Sequence, residues 1–391
     1  MKKKIKIYDL VIFILIISLF KFTFIPSIIL KIFKATSIFI SFLYIVRNVK
    51  KTKMFFNVTL LLTLSIIISS VYGYYYQSID ISNLIYGCIY AVIIYCLFIM
   101  IGYGIDKNLE ENLLNVLYTT FKYIYIFSLF FIIHKGSNNE FELIYYFVGN
   151  KFMTTYCMIF FVILYSIKFN IHKKKIRFFI IILLTIILCK YLNCTTSFVA
   201  SFLLILCYMK PNKRIAKILM NKNTLIIALI SSVLIIILLS SILKNEYIAY
   251  FIVDILNEDL SLTGRIKIYD SVKYVISNSP ILGYGYGNYA IGNVVGYGNS
   301  QNAVFEYIIS YGLIGLIIFI KLYYNAFSCS RNNDLQDLKF KWPMYIYIYI
   351  MVISGIVEIS FNYLFFLALF IIYWINNKQF KNNKLGGIYE K

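Results

Sequence analysis

The sequence predicts an all-α polytopic membrane protein, with about twelve transmembrane helices and one long outer loop that contains short helices. Three observations carry that prediction. Hydrophobic residues make up 61% of the 391 residues and charged residues only 14%, too little polar surface for a domain of this size to stay in water. Almost uncharged runs such as 10–20, 225–243 and 361–374 recur along the whole length, and crossing a hydrocarbon core of about 30 Å takes roughly 20 mostly apolar residues. The surplus of Lys and Arg, net +21, falls in short clusters between those runs and not on one surface.

Taken in order, the apolar windows place spans at 8–24, 27–46, 54–73, 84–104, 114–133, 152–169, 177–192, 195–210, 224–243, 303–326, 343–358 and 361–377. Lysines 2–6 precede the first, but no small-residue cleavage site follows it and a second apolar run comes directly after. An uncleaved first helix is expected. The spans at 177–192 and 195–210 are short and separated only by Asn193 and Cys194, so a count of ten or eleven with a re-entrant pair is the alternative. Basic clusters at 2–6, 47–53, 168–177, 210–222, 331–341 and 378–391 follow every second span. That bias predicts a multi-pass protein of the cell membrane with both termini in the cytoplasm. The chain then divides into 1–243 with spans one to nine, an extracytoplasmic loop at 244–302, and 303–391 with the last three spans and a cytoplasmic tail.

Topology therefore accounts for the basic charge, and nucleic acid is excluded as a partner in favour of the lipid bilayer. The 7 cysteines lie mostly inside apolar runs with no CxxC pair, which argues against a disulfide framework or a zinc site. The 2 histidines, His134 and His172, cannot make a His-rich centre. Neither a metal nor a cofactor is expected.

The outer loop is the one long connection, and such loops are uncommon unless functional. After the acids Asp254, Glu258 and Asp259, Thr263-Gly264-Arg265 opens a helical pattern. Ile268, Val272, Val275 and Ile276 fall on one apolar face, with Arg265, Lys267, Asp270 and Lys273 on the others. Such a helix either lies apolar side down in the membrane interface or packs on the bundle. Arg265 would present its planar guanidinium to a phosphate at the membrane surface. Pro280 ends the helix, and Gly283-Tyr284-Gly285-Tyr286-Gly287 follows. No βαβ unit surrounds these glycines, so a nucleotide loop is a poor reading. Glycines allow tight turns, and Tyr284 and Tyr286 offer flat faces suited to sugar rings. Next, Asn302, Glu306 and Ser310 form one polar stripe at i, i+4 and i+8 on the apolar tenth span, where Gly312 and Gly315 permit close approach of a neighbouring helix. An ionisable residue at the membrane is a functional candidate by default, the alternative for Glu306 being an inter-helix hydrogen bond.

Thr263-Gly264-Arg265, Tyr269, Pro280-Ile281-Leu282-Gly283-Tyr284-Gly285, Gln301-Asn302 and Gly312-Leu313-Ile314-Gly315, in this order, resemble the O-antigen polymerase and O-antigen ligase family. A long outer loop late in the chain is similar too, as is Gly149-Asn150-Lys151-Phe152 before the sixth span. Two positions depart from the family pattern. Gln301-Asn302 stands where His-Asn is usual, and Ser197-Phe198 where ligases often place Ser-Arg.

The resemblance implies glycosyl transfer on the outer leaflet, joining undecaprenyl-pyrophosphate-linked repeat units into a surface polysaccharide (capsule, exopolysaccharide or O-antigen). A flippase and a chain-length regulator would be its partner proteins. Diphosphate is a good leaving group, so positioning and charge neutralisation are the main demands. Arg265, with Lys151 or Lys273, could meet them without a metal; Thr263, Tyr269, Tyr284 and Tyr286 are further substrate-binding candidates. A base for the attacking hydroxyl would come from Glu306, Asp270 or Glu358, with Gln301 and Asn302 beside Glu306 in the catalytic group. Competing readings are a polysaccharide flippase or other secondary transporter, which Lys31, Lys34 and Lys122 within spans would suit, a ligase-type transfer to a different acceptor, and a membrane scaffold.

Overall fold

The computed structural model describes the chain except residues 1, 50–53, 78, 136–145, 170, 172, 209–217, 238–246, 248–249, 251–264, 328–334 and 390–391. Of residues 2–6, 133–135, 225, 236–237, 265–266, 335–340 and 379–389 only the backbone is described. Every expected span overlaps a helix. In chain order these are α1 (Lys2–Ser18), α2 (Ser27–Asn48), α3 (Val58–Tyr76), α4 (Ile81–Asp106), α5 (Glu110–Lys135), α6 (Lys151–Lys168), α7 (Lys175–Tyr191), α8 (Thr195–Ser201) and α9 (Lys222–Ile237). Two loop helices follow, α10 (Arg265–Asn278) and α11 (Ala290–Val295), then α12 (Ala303–Phe327), α13 (Leu335–Ser354) and α14 (Tyr363–Tyr389). The protein is an all-α polytopic membrane protein.

Six of these, α2 to α6 and α12, are long and apolar enough to cross a membrane, among the described residues. Shorter apolar helices lie at Ile7–Ser18, Thr195–Cys207, Lys222–Ile235 and Tyr363–Lys378. The short seventh and eighth spans are short in three dimensions as well: α8 tightens into a 3₁₀ turn over Phe202–Cys207. Tight turns of this kind occur in short pieces because their hydrogen bonds are poorer.

Asparagine starts four of the helices. The side chains of Asn57, Asn150, Asn302 and Asn362 accept hydrogen bonds from backbone N–H groups at the starts of α3, α6, α12 and α14, donors that a helix leaves without intrahelical partners. The core is almost wholly aromatic and aliphatic. Phe319 of α12 packs against Phe361, Phe365 and Phe366, and Trp374 of α14 reaches across to donate to the Phe98 carbonyl of α4 at 2.9 Å. Five cysteines (96, 157, 189, 194 and 207) are buried as small apolar side chains.

The loop does not lie on the bundle; it wedges into it. α12 is broken at Gly312, whose backbone (φ 63°, ψ −172°) is not helical. That is nine residues after its start, about 14 Å along the axis. The groups freed by the break are taken up by residues 280–285. Tyr284 and Gly285 donate their N–H groups to the carbonyls of Ile309 and Ser310 at 2.7 and 2.8 Å, while Leu313 and Ile314 donate to the carbonyls of Pro280 and Ile281 at 2.8 and 3.3 Å. Non-helical backbone is tolerated at membrane depth only where protein satisfies it in this way. The glycines are therefore required by geometry. Gly283 has φ +71°, and a Cβ there would stand 2.6 Å from the Ile309 carbonyl oxygen; one on Gly312 would collide with the Ile281 carbonyl.

One expectation is corrected by this arrangement, and of the two readings of α10 it supports packing on the bundle. Gly312 admits the loop backbone, not a neighbouring helix. The apolar face of α10 does consist of Ile268, Val272 and Val275, but it packs on Ala290 and Ile291 of α11 and on Ile309 of α12. Protein, not lipid, covers that face.

Candidate functional site

The wedge leaves a cavity of about 310 Å³ at the loop end of the bundle. Its walls come from α4 (Tyr90), the loop (Tyr286, Gly287), the start of α6 (Met153), the first turns of α12 (Glu306, Tyr307, Ser310) and the approach to α14 (Phe361, Asn362). Among the described residues, Glu306 is the one carboxylate in its lining. One carboxylate oxygen accepts the N–H of Ser300 at 2.9 Å, which holds the residues before α12 over the head of the cavity. The Ser300 hydroxyl in turn donates to the carbonyl of Asn302 at 3.1 Å.

Asn302 is fully buried and works as a helix cap. Its side-chain oxygen accepts the N–H groups of Val304 and Phe305 at 3.0 and 2.9 Å, and its amide donates to the Ile356 carbonyl at 3.1 Å. Backbone thus engages both ends of the amide, and the geometry supports a positioning part for Asn302 more than contact with a substrate oxygen. Gln301 takes a left-handed backbone (φ 49°), and its carbonyl accepts the Tyr269 hydroxyl at 3.5 Å. This contact ties α10 to the start of α12 one residue from Ser300.

The remaining sequence candidates separate. Tyr286 lines the cavity and its ring lies 5.2 Å from that of Tyr90. Tyr284 turns the other way, its hydroxyl donating to the Val275 carbonyl at 3.0 Å, so it fastens the loop to α10. Lys273 is exposed on α10, as is Asp270. Lys151 donates to the Asn193 carbonyl at 3.0 Å, at the turn between α7 and α8, two residues from the cavity-lining Met153. Glu358 is half-buried in the connection between α13 and α14, next to the lining residue Ile359. Thr263 and Gly264, with the acids Asp254, Glu258 and Asp259, lie outside the described residues. Arg265 begins α10, one helical turn before Tyr269, and its side chain lies outside them too.

Sequence reasoning missed Tyr90, Tyr307 and Asn362. Tyr307 matters most chemically, because its hydroxyl is buried at the cavity wall with no hydrogen-bond partner among the described residues. A buried unsatisfied hydroxyl is costly, and a bound hydroxyl or carbonyl could satisfy it. In a chain with 37 tyrosines nothing local distinguishes this one. Asn362 was findable, since an Asn two residues ahead of an apolar run is the same cap signal that Asn302 gives.

As a whole, the arrangement offers a carboxylate, a free hydroxyl and aromatic walls around one space. It suits a polar ligand with ring faces. Residues 178–320 match the family described as O-antigen ligase. The match runs from α7 through the loop and the break in α12, and so includes Glu306; the walls from α4, α6 and α14 lie outside it. The resemblance read from the motifs holds over this segment. No curated protein matches the chain.

Proposed function

We propose, with kinship to the O-antigen polymerase and ligase family over residues 178–320 as the premise, that this protein joins lipid-pyrophosphate-linked oligosaccharide repeat units into a surface polysaccharide. A role in polysaccharide assembly follows from the family at the coarse level. The observation that carries the finer reading is the Glu306 carboxylate lining a cavity between the loop wedge and the helix bundle.

In this reading the acceptor's sugar hydroxyl attacks the anomeric carbon of the donor glycan. The new glycosidic C–O bond forms as the bond from that carbon to the diphosphate oxygen breaks, and the polyprenyl diphosphate leaves. Glu306 receives the hydroxyl proton. The cations of α10, Arg265 and Lys273, neutralise charge developing on the diphosphate. Asn302 and Ser300 hold Glu306 in place, while Tyr286, Tyr90 and Tyr307 present ring faces and a hydroxyl to the sugars. Transfer to a different acceptor, as a ligase would perform, uses the same parts.

Transport is the reading to be separated from this one. Cells lacking the protein should accumulate single lipid-linked repeat units on the outer face of the membrane. Accumulation on the inner face would identify a flippase and contradict the proposal.

A further inference from the structure

Three lysines at the loop end of the bundle are not explained by topology. Lys31 and Lys34 lie three residues apart on α2, hence on one side of an otherwise apolar membrane helix. Lys21, in the connection between α1 and α2, is close enough to Lys34 for their charges to repel. The Lys31 ammonium sits 5.2 Å from the centre of the Tyr86 ring on α4. One turn from Tyr86 in one direction, Asn83 donates to the Gly287 carbonyl at 2.9 Å; one turn in the other, Tyr90 lines the cavity against Tyr286. Lys31 therefore rests on the same helix, α4, that supplies Tyr90 to the cavity wall.

Among the described residues their charge is not neutralised locally. Lys21 and Lys31 are exposed and Lys34 half-buried, and among the described residues no carboxylate forms an ion pair with any of them. Asp80, at the start of α4, is exposed and makes no such pair. Lysine within a span is costly, and on the outward side it runs against the charge bias that orients membrane proteins. Three like charges gathered there call for an anion. A hydrocarbon slot begins at the same connection: Ile17 and Phe22, which bracket Lys21 in the chain, line a groove of about 270 Å³ with Phe13, Phe24, Tyr123 and Phe147.

We propose that Lys21, Lys31 and Lys34 bind the diphosphate head of an isoprenoid lipid, the second of the two lipid-linked substrates that polymerisation brings together. The inference rests on the reading of two such substrates given above. Arg265 and Lys273 then serve one diphosphate from α10, and the α2 lysines serve the other. An anionic phospholipid head shares this chemistry and is the rival source.

The test uses full-length protein in phosphatidylcholine nanodiscs, titrated with labelled geranylgeranyl diphosphate. In an Arg265→Gln/Lys273→Gln background, which removes the α10 subsite, adding Lys31→Gln/Lys34→Gln should weaken binding at least tenfold, and adding Lys31→Arg/Lys34→Arg should leave it within about threefold of that background. Adding phosphatidylglycerol to the discs should leave binding within twofold. In the unmodified chain, the same probe should protect Lys31 and Lys34 from amine acylation, read by peptide mass spectrometry, which does not depend on how the variants fold. Unchanged binding on adding Lys31→Gln/Lys34→Gln, absent protection, or full displacement by phosphatidylglycerol would overturn the proposal. Because binding is read without turnover, Glu306→Gln should leave it intact, so a failure of the transferase reading and a failure of this site give different results.

Discussion

At the residue scale, the polar stripe of Asn302, Glu306 and Ser310 was legible because helical spacing puts i, i+4 and i+8 on one face. The cap signal of Asn302 was legible too, but what Glu306 and Ser310 do along that stripe was not. Asn302 caps the helix, Glu306 faces the cavity while holding Ser300, and Ser310 receives the Asn288 amide at 3.1 Å. These partners come from segments far apart in the chain or from backbone groups, and neither leaves a local sequence signal. Arg265 carries the sharpest residue-level prediction. Arg265→Lys keeps the charge but loses the planar fork that meets two phosphate oxygens at once. Polymer output should fall at least tenfold at equal expression, measured as polymer length and yield on gels. Output within twofold of the unmodified protein would remove the bidentate role.

At the element scale, hydropathy windows found a helix at every expected span, because burial in lipid imposes its pattern on each span separately, but they missed several ends, such as 8–24 against Lys2–Ser18 and 361–377 against Tyr363–Tyr389. The break in α12 was invisible by the same logic. Gly312 looks like a packing glycine in a continuous apolar run, and only the pairing of residues 280–285 with 309–314 shows that it is a discontinuity. The glycines of the loop, which suggested turns beneath sugar-stacking tyrosines, are first of all the means by which one backbone enters another's hydrogen-bonding gap. Gly283→Ala and Gly312→Ala should each be strongly destabilising. The positive-φ backbone alone costs about 1–3 kcal/mol for a residue with a Cβ, and each added methyl would meet backbone atoms, not a yielding side chain. Gly296→Ala is the internal control. Its φ is +78° but nothing lies within 4 Å of the added atom, so it should show the backbone cost without the collision. Thermal unfolding in detergent checks the order: Gly296→Ala should lose less than the other two.

At the scale of the whole molecule, composition fixed the membrane class and charge clusters implied an orientation, with residues 265–302 on the outward face. Reporter fusions after Lys51, Lys174, Lys213 and Lys384 should read cytoplasmic, and one at Gly292 external. A cytoplasmic signal at Gly292 would put the cavity on the wrong side for outer-leaflet chemistry. The cavity itself could not be read from the chain, because its walls come from α4, α6, α12, α14 and the loop, and each contributes only one or a few residues.

The central claim is that Glu306 receives the acceptor proton during glycosyl transfer inside that cavity, and one measurement addresses it directly. Purified protein is given defined lipid-linked repeat units, and polymer formation is compared between the unmodified chain and Glu306→Gln. The amide oxygen of Gln can still accept the Ser300 N–H, so the cap and the loop should survive while the basic oxygen is lost. The account predicts that Glu306→Gln remains folded and binds the donor but forms no polymer above about 1% of the unmodified rate, in line with the 10²–10⁴-fold contribution typical of a general base. Full turnover by Glu306→Gln would contradict it.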